Sequence, residues 1–440
     1  MAYLSTLIRV IGCFSKEEAK WRARDPIELL AGHMIRRGLL TADSRDAATA
    51  GARQAMTVAG DTLLEPLPGG KPGQRQIRPA EWPDPAFVNV GVRGDLSEFA
   101  GVRTEEADTF TGELADTKFI DAVAAVMHRR MAEDDRIVVM GEDVHRLNGG
   151  TNGATRGLKD AFPDRILGTP ISENAFTGLG GGIALDGRFR PVVEFMYADF
   201  MWVAADQLFN QVGKARHMFG GDGPVPLVLR SKVATGTGYG SQHSMDPAGI
   251  FATAPGWRIV APTTPFDYVG LMNAALRCED PVVVLEHVDL YNSTGPGPVD
   301  DYDYCLPVGR AAVRRGGEAV TVVAYLSMVA EALAAVEATG IDAEVIDLRW
   351  LDRAGLDWDT LGESIRKTNR VLLVEQGPIG TSYGGWLADE VQRRLFDWLD
   401  APVERVTGGE ASPSISKVLE RAAIARREEI AAALTRMVEG

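Results

Sequence analysis

Residues 136–140, Arg-Ile-Val-Val-Met, decide the fold. A run this short, apolar at consecutive rather than alternate positions, predicts a strand buried on both faces, as in a parallel sheet covered by helices. Working outward, the same pattern recurs. Further strands are predicted at 191–195, 226–230, 258–261 and 281–285, with helices at about 119–130 and near 174–185, 200–217 and 266–276. Such alternation builds a doubly wound sheet with helices on both faces. Residues 286–317 are rich in Asn, Ser, Gly, Pro and Asp (YNSTGPGPVDDYDY) and mark a linker. A second α/β alternation follows: strands at 319–326, 343–348, 370–374 and 403–406, helices at 328–338, 356–367, 381–395 and from about 414.

Upstream, residues 14–63 read as helices. Ser15 can cap a first turn charged by Lys16, Glu17 and Glu18, and Ile27, Leu29, Leu30, Met34 and Ile35 recur at helical spacing. From Glu65 to Thr111, Pro, Gly and scattered charge (EPLPGGKPGQ, AEWPDP) predict an irregular arm. The expected organisation is therefore a helical segment at 1–63, a linker or arm at 64–114, an α/β domain at 115–290, a linker at 291–317 and a second α/β domain at 318–440.

The formal charge of −15 and pI near 5.0 argue against a nucleic-acid-binding face, which needs clustered Lys and Arg. Cys13, Cys278 and Cys305 are widely spaced and form no CxxC pair, so neither a disulfide framework nor a zinc site is suggested. The start, MAYLSTLIRVIGCF, lacks a basic leader and a small-residue cleavage site. No run approaches the roughly 18 apolar residues of a membrane span. A soluble, cytoplasmic protein is expected.

Three stretches could carry chemistry. In Gly168-Thr-Pro-Ile-Ser-Glu-Asn-Ala-Phe-Thr-Gly-Leu-Gly-Gly-Gly182, Ser172 is positioned to cap a glycine-rich helix with Glu173 in its first turn. By itself the segment favours Glu173 as a carboxylate complementing the helix dipole, with glycines that allow close packing. The string does not complete a dinucleotide-binding GxGxxG, because Ile183 stands at the last glycine position. Next, 192–211 is a strand running into a helix with Asp199, Asp206, Gln207 and Asn210 among aromatics. Polar groups there require partners if buried. Third, Gly236-Thr-Gly-Tyr-Gly-Ser-Gln-His-Ser-Met-Asp-Pro247 is a glycine loop displaying His243 before a predicted helix. Loops at strand ends are where sites lie in open α/β sheets.

Together these residues resemble one family: the beta subunit of the decarboxylating first component of 2-oxo acid dehydrogenase complexes, of pyruvate or branched-chain type. The likeness runs from about Lys118 to the C-terminus. It rests on Gly141-Glu-Asp-Val144, Thr169-Pro-Ile-Ser-Glu173, Tyr197-Ala-Asp-Phe200, Asp206-Gln207 with Asn210, Gln242-His-Ser244, Ala254-Pro-Gly256, Asp280-Pro281 and Val374-Glu-Gln376. Residues 14–40 also resemble the tail of the alpha subunit, which suggests an alpha-beta fusion. The resemblance implies a transketolase-like pyrimidine-binding doubly wound parallel sheet and a C-terminal transketolase-type α/β domain, preceded by a helical arm.

It further implies that the pyrimidine end of thiamin diphosphate lies in this chain, while the diphosphate and its magnesium are held by the alpha half. The one GDG here, 221–223, leads into Pro-Val-Pro without a downstream Asn pair and reads as a turn. No metal ligand is therefore expected in this chain. Glu173 matches the glutamate that hydrogen-bonds the pyrimidine ring nitrogen. Phe200 matches an aromatic against that ring and Ile171 a supporting residue. His243 matches the histidine placed for proton transfer when a lipoyl group is acylated. Met196, at the same cofactor face, stands where some relatives have Gln, and Thr253 where many have His, so the 2-oxo acid is left open. A potassium site is common in the family, but Cys278 takes a position often held by Asp. The implied partners are an alpha subunit or half, in an α2β2-type assembly, and a lipoyl-bearing acyltransferase, which the C-terminal domain helps to dock. Neither nucleic acid nor membrane is expected as a partner.

Overall fold

The computed structural model describes residues 15–82, 95–221, 223–380, 382–410 and 412–439, with side chains from residue 19 onward. The apolar start, the Ser15 side chain expected to cap a helix and the centre of the 221–223 turn lie outside these residues. The chain divides into two compact units that part near residue 88.

The first unit holds helices α1 (Ser15–Arg22), α2 (Pro26–Arg36) and α3 (Ala42–Leu63) and an antiparallel hairpin of β1 (Leu64–Pro66) and β2 (Arg75–Ile77). Its helix starts are locally encoded. The Asp25 side chain accepts from Ile27 N at 2.8 Å with Pro26 in the first turn, and Thr41 and Ser44 form a reciprocal capping box. Only Ala31 is buried among the unit's described residues, while Ile27, Leu29 and Leu30 stay 72%, 55% and 59% exposed. These helices have no core of their own.

The second unit contains two large sheets. In the first, β4 (Ile137–Gly141), β5 (Ile166–Gly168), β6 (Arg190–Phe195), β7 (Val228–Val233), β8 (Arg258–Val260) and β9 (Val282–His287) pair in parallel in the order β5-β4-β6-β7-β9-β8. Residues of β4, β7 and β9 are buried throughout; β4 is apolar along its whole length, while β7 and β9 begin apolar and carry Arg230, Lys232, Glu286 and His287 into the interior near their ends. One face packs on α4 (Phe119–Glu133) and α9 (Pro265–Arg277). The other faces α6 (Glu173–Asp186), which lies close against β6 because a Cβ on Gly180 would stand 2.6 Å from Val193 Cγ2. Between α4 and α6 runs a single short turn, α5 (Leu158–Ala161).

The second sheet has the order β11-β13-β12-β14-β15, from β11 (Ala312–Arg315), β12 (Val320–Ala324), β13 (Ala343–Asp347), β14 (Val371–Pro378) and β15 (Glu404–Gly408). All pairs are parallel except the edge pair β11–β13. Val323, Tyr325, Ile346 and Leu361 of this part share one continuous core with Met140, Phe195 and Leu229 of the first sheet. The two sheets thus form one body.

Structure departs from the sequence reading at several places, the unpredicted strand β5 among them. The predicted linkers at 64–114 and 291–317 contain strands: besides β1 and β2, β3 (Leu114–Lys118) pairs antiparallel with β10 (Thr294–Pro298). Proline alternates along β10, so its missing N–H groups fall on one side of the strand, which an edge position tolerates. Phe110 seats its ring 5.1 Å from both Phe266 and Tyr304, packing the segment before β3 onto α9 within the larger unit. The helix predicted at 200–217 is a 3-10 turn (Ala198–Trp202), a π turn (Asp206–Val212) and α7 (Gly213–Met218), with the short α8 (Ala248–Thr253) following β7. Finally, Ser172 makes no side-chain cap for α6.

Candidate active site

The order of strands reverses about β4, with β5 on one side and β6 on the other, and the crevice beyond the carboxyl ends at such a point is where open α/β sheets bind ligands. Glu142 follows β4 directly. Glu173 starts α6 just beyond β5, and the register Gly141↔Gly168 brings the two strand ends side by side. Glu173 is 6% exposed. The two carboxyl groups are hydrogen-bond neighbours, and burial, followed by the Glu173 charge, pushes Glu142 up to about 7. Oε1 of Glu142 faces no donor among the described residues. At neutral pH this pair can hold one proton between two oxygen groups and offer a carboxylate or carboxyl to a weakly basic nitrogen. Sequence reasoning misses Glu142 within Gly141-Glu-Asp-Val144; its signal is a carboxylate at the end of a strand adjacent to the one that leads to Glu173.

Beyond β6 an aromatic group surrounds His243. The ring lies edge-on to Tyr197 at 4.9 Å and to Phe200 at 5.3 Å. Met196 and Phe200 pack on the same small cluster of Tyr197, Ala234 and Val288. Asp199 accepts from Met245 N at 3.1 Å, and burial raises its carboxyl pKa against that bond and the neighbouring His243. Phe200, Met196 and His243 therefore come together, and Glu142 joins Glu173. Ile171 does not join either group: its side chain is 83% exposed. Thr253 is exposed and bonds back to Ile250 O at 2.8 Å. Asp206 and Asn210 are also exposed and satisfy each other at 2.9 Å, with Lys214 extending the chain at 2.8 Å, so burial makes no demand on them.

A cavity of about 710 Å³ opens between the two sheets. Phe200, Gln242 and Met245 line one side and Gln376, Gly408 and Ile424 the other. Gln376 is buried, donates to Asp246 at 3.2 Å and accepts from Ser327 at 2.8 Å, which makes it a tie within the unit. Below the site, Arg230 donates to Glu286 at 2.7 and 3.0 Å and to Glu194 at 3.2 Å in a buried ionic knot.

The place where a potassium ion was in question does not fit one. Burial pushes the Cys278 thiol up to about 12, so it is no anionic ligand. Arg190 donates to the carbonyls of Leu276, Arg277 and Cys278 at 2.9, 3.3 and 3.2 Å, and Asp280 is bound by Arg216 and Arg258. Guanidinium groups already hold the oxygens that a potassium ion would need. Among the described residues, no group of three or more His, Cys, Asp and Glu is placed to hold a metal, and no helix is long and apolar enough to cross a membrane.

Comparison with known proteins agrees with this architecture. Residues 116–294 match the transketolase pyrimidine-binding domain and residues 309–430 the transketolase C-terminal domain. The chain is 38% identical to the pyruvate dehydrogenase E1 component subunit beta-1 of Oryza sativa, over 75% of this chain and 89% of the relative. It is 36% identical to the acetoin:2,6-dichlorophenolindophenol oxidoreductase subunit beta of Cupriavidus necator, over 72% and 96%. Among solved structures, a split-gene transketolase described as an inactive beta4 tetramer superposes with a TM-score of 0.59 at 21% identity, over 72% of this chain and 97% of that one. That last likeness concerns the fold. With its two matched domains and such identity across nearly the whole length of these relatives, the chain belongs to the family of beta subunits of the 2-oxo acid dehydrogenase first component.

Proposed function

We propose that this chain is the half of a thiamin-diphosphate-dependent 2-oxo acid dehydrogenase that activates the cofactor, acting on pyruvate or a branched-chain 2-oxo acid and passing the acyl group to a lipoyl-bearing acyltransferase. The observation that carries this reading is the Glu142–Glu173 carboxyl pair at the strand-order reversal, where burial and the neighbouring Glu173 raise Glu142 to about 7. Such a donor set fits an aminopyrimidine. When bound, the cofactor supplies the electron sink for decarboxylation.

In this reading Glu173 holds the pyrimidine end through one hydrogen bond, and the proton on Glu142 keeps the buried pair from carrying two charges. Phe200 and Met196 give that end an apolar wall, while Ile171 contributes through its backbone, since its side chain points to solvent. His243, held edge-on between Tyr197 and Phe200, moves a proton at the lipoyl sulfur during acyl transfer. The diphosphate and magnesium fall to an alpha half in an α2β2-type assembly. The helices of residues 15–63, whose apolar side chains lack a core, are then the alpha-like tail of a fused form.

Calorimetry tests the division of labour. The purified chain should bind thiamin diphosphate with magnesium weakly and decarboxylate nothing until an alpha half is added; tight one-to-one binding by the chain alone contradicts it. A panel of pyruvate, branched-chain 2-oxo acids, 2-oxoglutarate and acetoin on the completed enzyme assigns the substrate. Acetoin belongs there because one relative carries it in its name.

A further inference from the structure

The loop that carries His243 is fastened from the second sheet's side. The N–H groups of Gly236 and Gly238 both donate to the carboxylate of Glu420, the former at 2.9 Å. Glu420 lies in α13 (Lys417–Arg421), which follows α10 (Met328–Thr339), α11 (Trp358–Thr368) and α12 (Tyr383–Leu395), and it is fully buried. Both glycines have positive φ, 85° and 89°, and the turn aims their two alternate N–H groups at the same anion while the N–H of Thr237 between them bonds back to Ala234 O. The anion is supplied by this chain. Arg421 adds bonds of 3.3 Å to Gly236 O and to Asp289, and Ser241 Oγ donates to Pro413 O at 2.8 Å. A Cβ on Gly236 would stand 2.6 Å from Ile424 Cδ1, and one on Gly238 2.8 Å from Lys417 Cβ, so the loop is moulded on this segment.

The first sheet fastens the other side. His287 Nδ1 accepts from Asp289 N at 3.2 Å, so its Nε2 carries the hydrogen that reaches Thr235 O at 3.1 Å. Thr235 Oγ1 donates to Ser244 O at 2.8 Å and Asp199 accepts from Met245 N. His243 stands between these two sets of ties, more than 170 residues from Glu420 in sequence.

We propose that Glu420 is a positioning residue: its carboxylate, seated in the backbone concavity of Gly236 and Gly238, fixes the loop so that His243 meets an incoming lipoyl group. A domain whose sequence shows no catalytic constellation thereby sets the acyl-transfer step. The proposal rests on the role of His243 given above.

The test uses the complete enzyme, alpha half included, and two readouts: turnover with an artificial electron acceptor, and acylation of a lipoyl domain. Glu420→Gln keeps the shape but removes the charge that holds two N–H groups. Lipoyl acylation should fall about tenfold while acceptor turnover stays within about twofold, because charge-assisted bonds are roughly twice as strong as neutral ones. In a His243→Ala background, Glu420→Gln should cause no further loss of lipoyl acylation. Ser241→Ala, a milder loosening that keeps the fold if Glu420→Gln does not, should lower lipoyl acylation about threefold with the same selectivity. Equal loss of both readouts, or added loss in the His243→Ala background, overturns the proposal and leaves Glu420 a fold-stabilising residue. If His243→Ala alone leaves lipoyl acylation intact, the His243 reading falls and the proposal with it; if it lowers acylation but Glu420→Gln does not, only the proposal falls.

Discussion

Buried carboxylates meet opposite surroundings in two regions of the larger unit. Between the sheets, Asp267 is fully buried against Arg314 and Arg349, the latter at 2.8 Å, and Asp347 lies 2.7 Å from Arg314. Burial alone would push Asp267 up, yet the two guanidinium groups hold it below the usual carboxylate range. At the ends of β4 and β5, Glu142 and Glu173 face each other and Glu142 rises to about 7. Charge in the first region is compensated by the fold. In the second it is left for a proton or a ligand, which is how perturbed acids cluster at functional sites.

The contrast breaks most sharply if Glu173 is neutralised. Glu173→Gln should lower decarboxylation by the completed enzyme by about a thousandfold, within the range for loss of a general acid–base group. Its melting temperature should hold, and full acceptor turnover would remove Glu173 from the mechanism. Asp267→Asn should do the reverse. It leaves Arg314 and Arg349 buried without that anion and should cost about 3–5 kcal/mol in denaturant unfolding, with no specific effect on catalysis by the surviving folded fraction.

Glu142→Gln sharpens the comparison through pH. A carboxyl raised in the folded protein contributes stability that is present below about 4.5 and is lost as pH rises through about 7. The variant, permanently uncharged, should flatten that part of the stability profile, and activity should fall about tenfold through loss of the shared proton. An unchanged slope between those pH values would mean the two carboxyls do not share a proton in solution. The smallest effect is expected at the exposed pairs of α12: Arg393→Ala removes contacts to Asp389 and Glu390 but should change stability by no more than about 0.5 kcal/mol.

Much of the fold was legible because strands buried on both faces write unbroken apolar runs, as at Ile137–Gly141. Besides the strands in the predicted linkers, two more were not. Ile166–Gly168 has three residues, too few for any period, and Ala312–Arg315 lies in a polar stretch where an edge strand needs only one apolar side. The site was half legible. Glu173 and His243 lie in strings with a family likeness, whereas Glu142 looks like an ordinary surface acid after a strand until the parallel register sets it beside Glu173.

By itself the sequence determined the order of the long buried strands and most of their helices, the local caps at Asp25 and Thr41, and the strings that mark the family, because each rests on neighbours a few residues apart. Tertiary structure alone decided which carboxylates share a proton, which are bound to arginine, that guanidinium groups occupy the oxygens near Cys278, and that Glu420 grips the His243 loop. Each of those depends on groups far apart in the chain whose charges and hydrogen bonds acquire a sign and a partner only once burial removes water from between them.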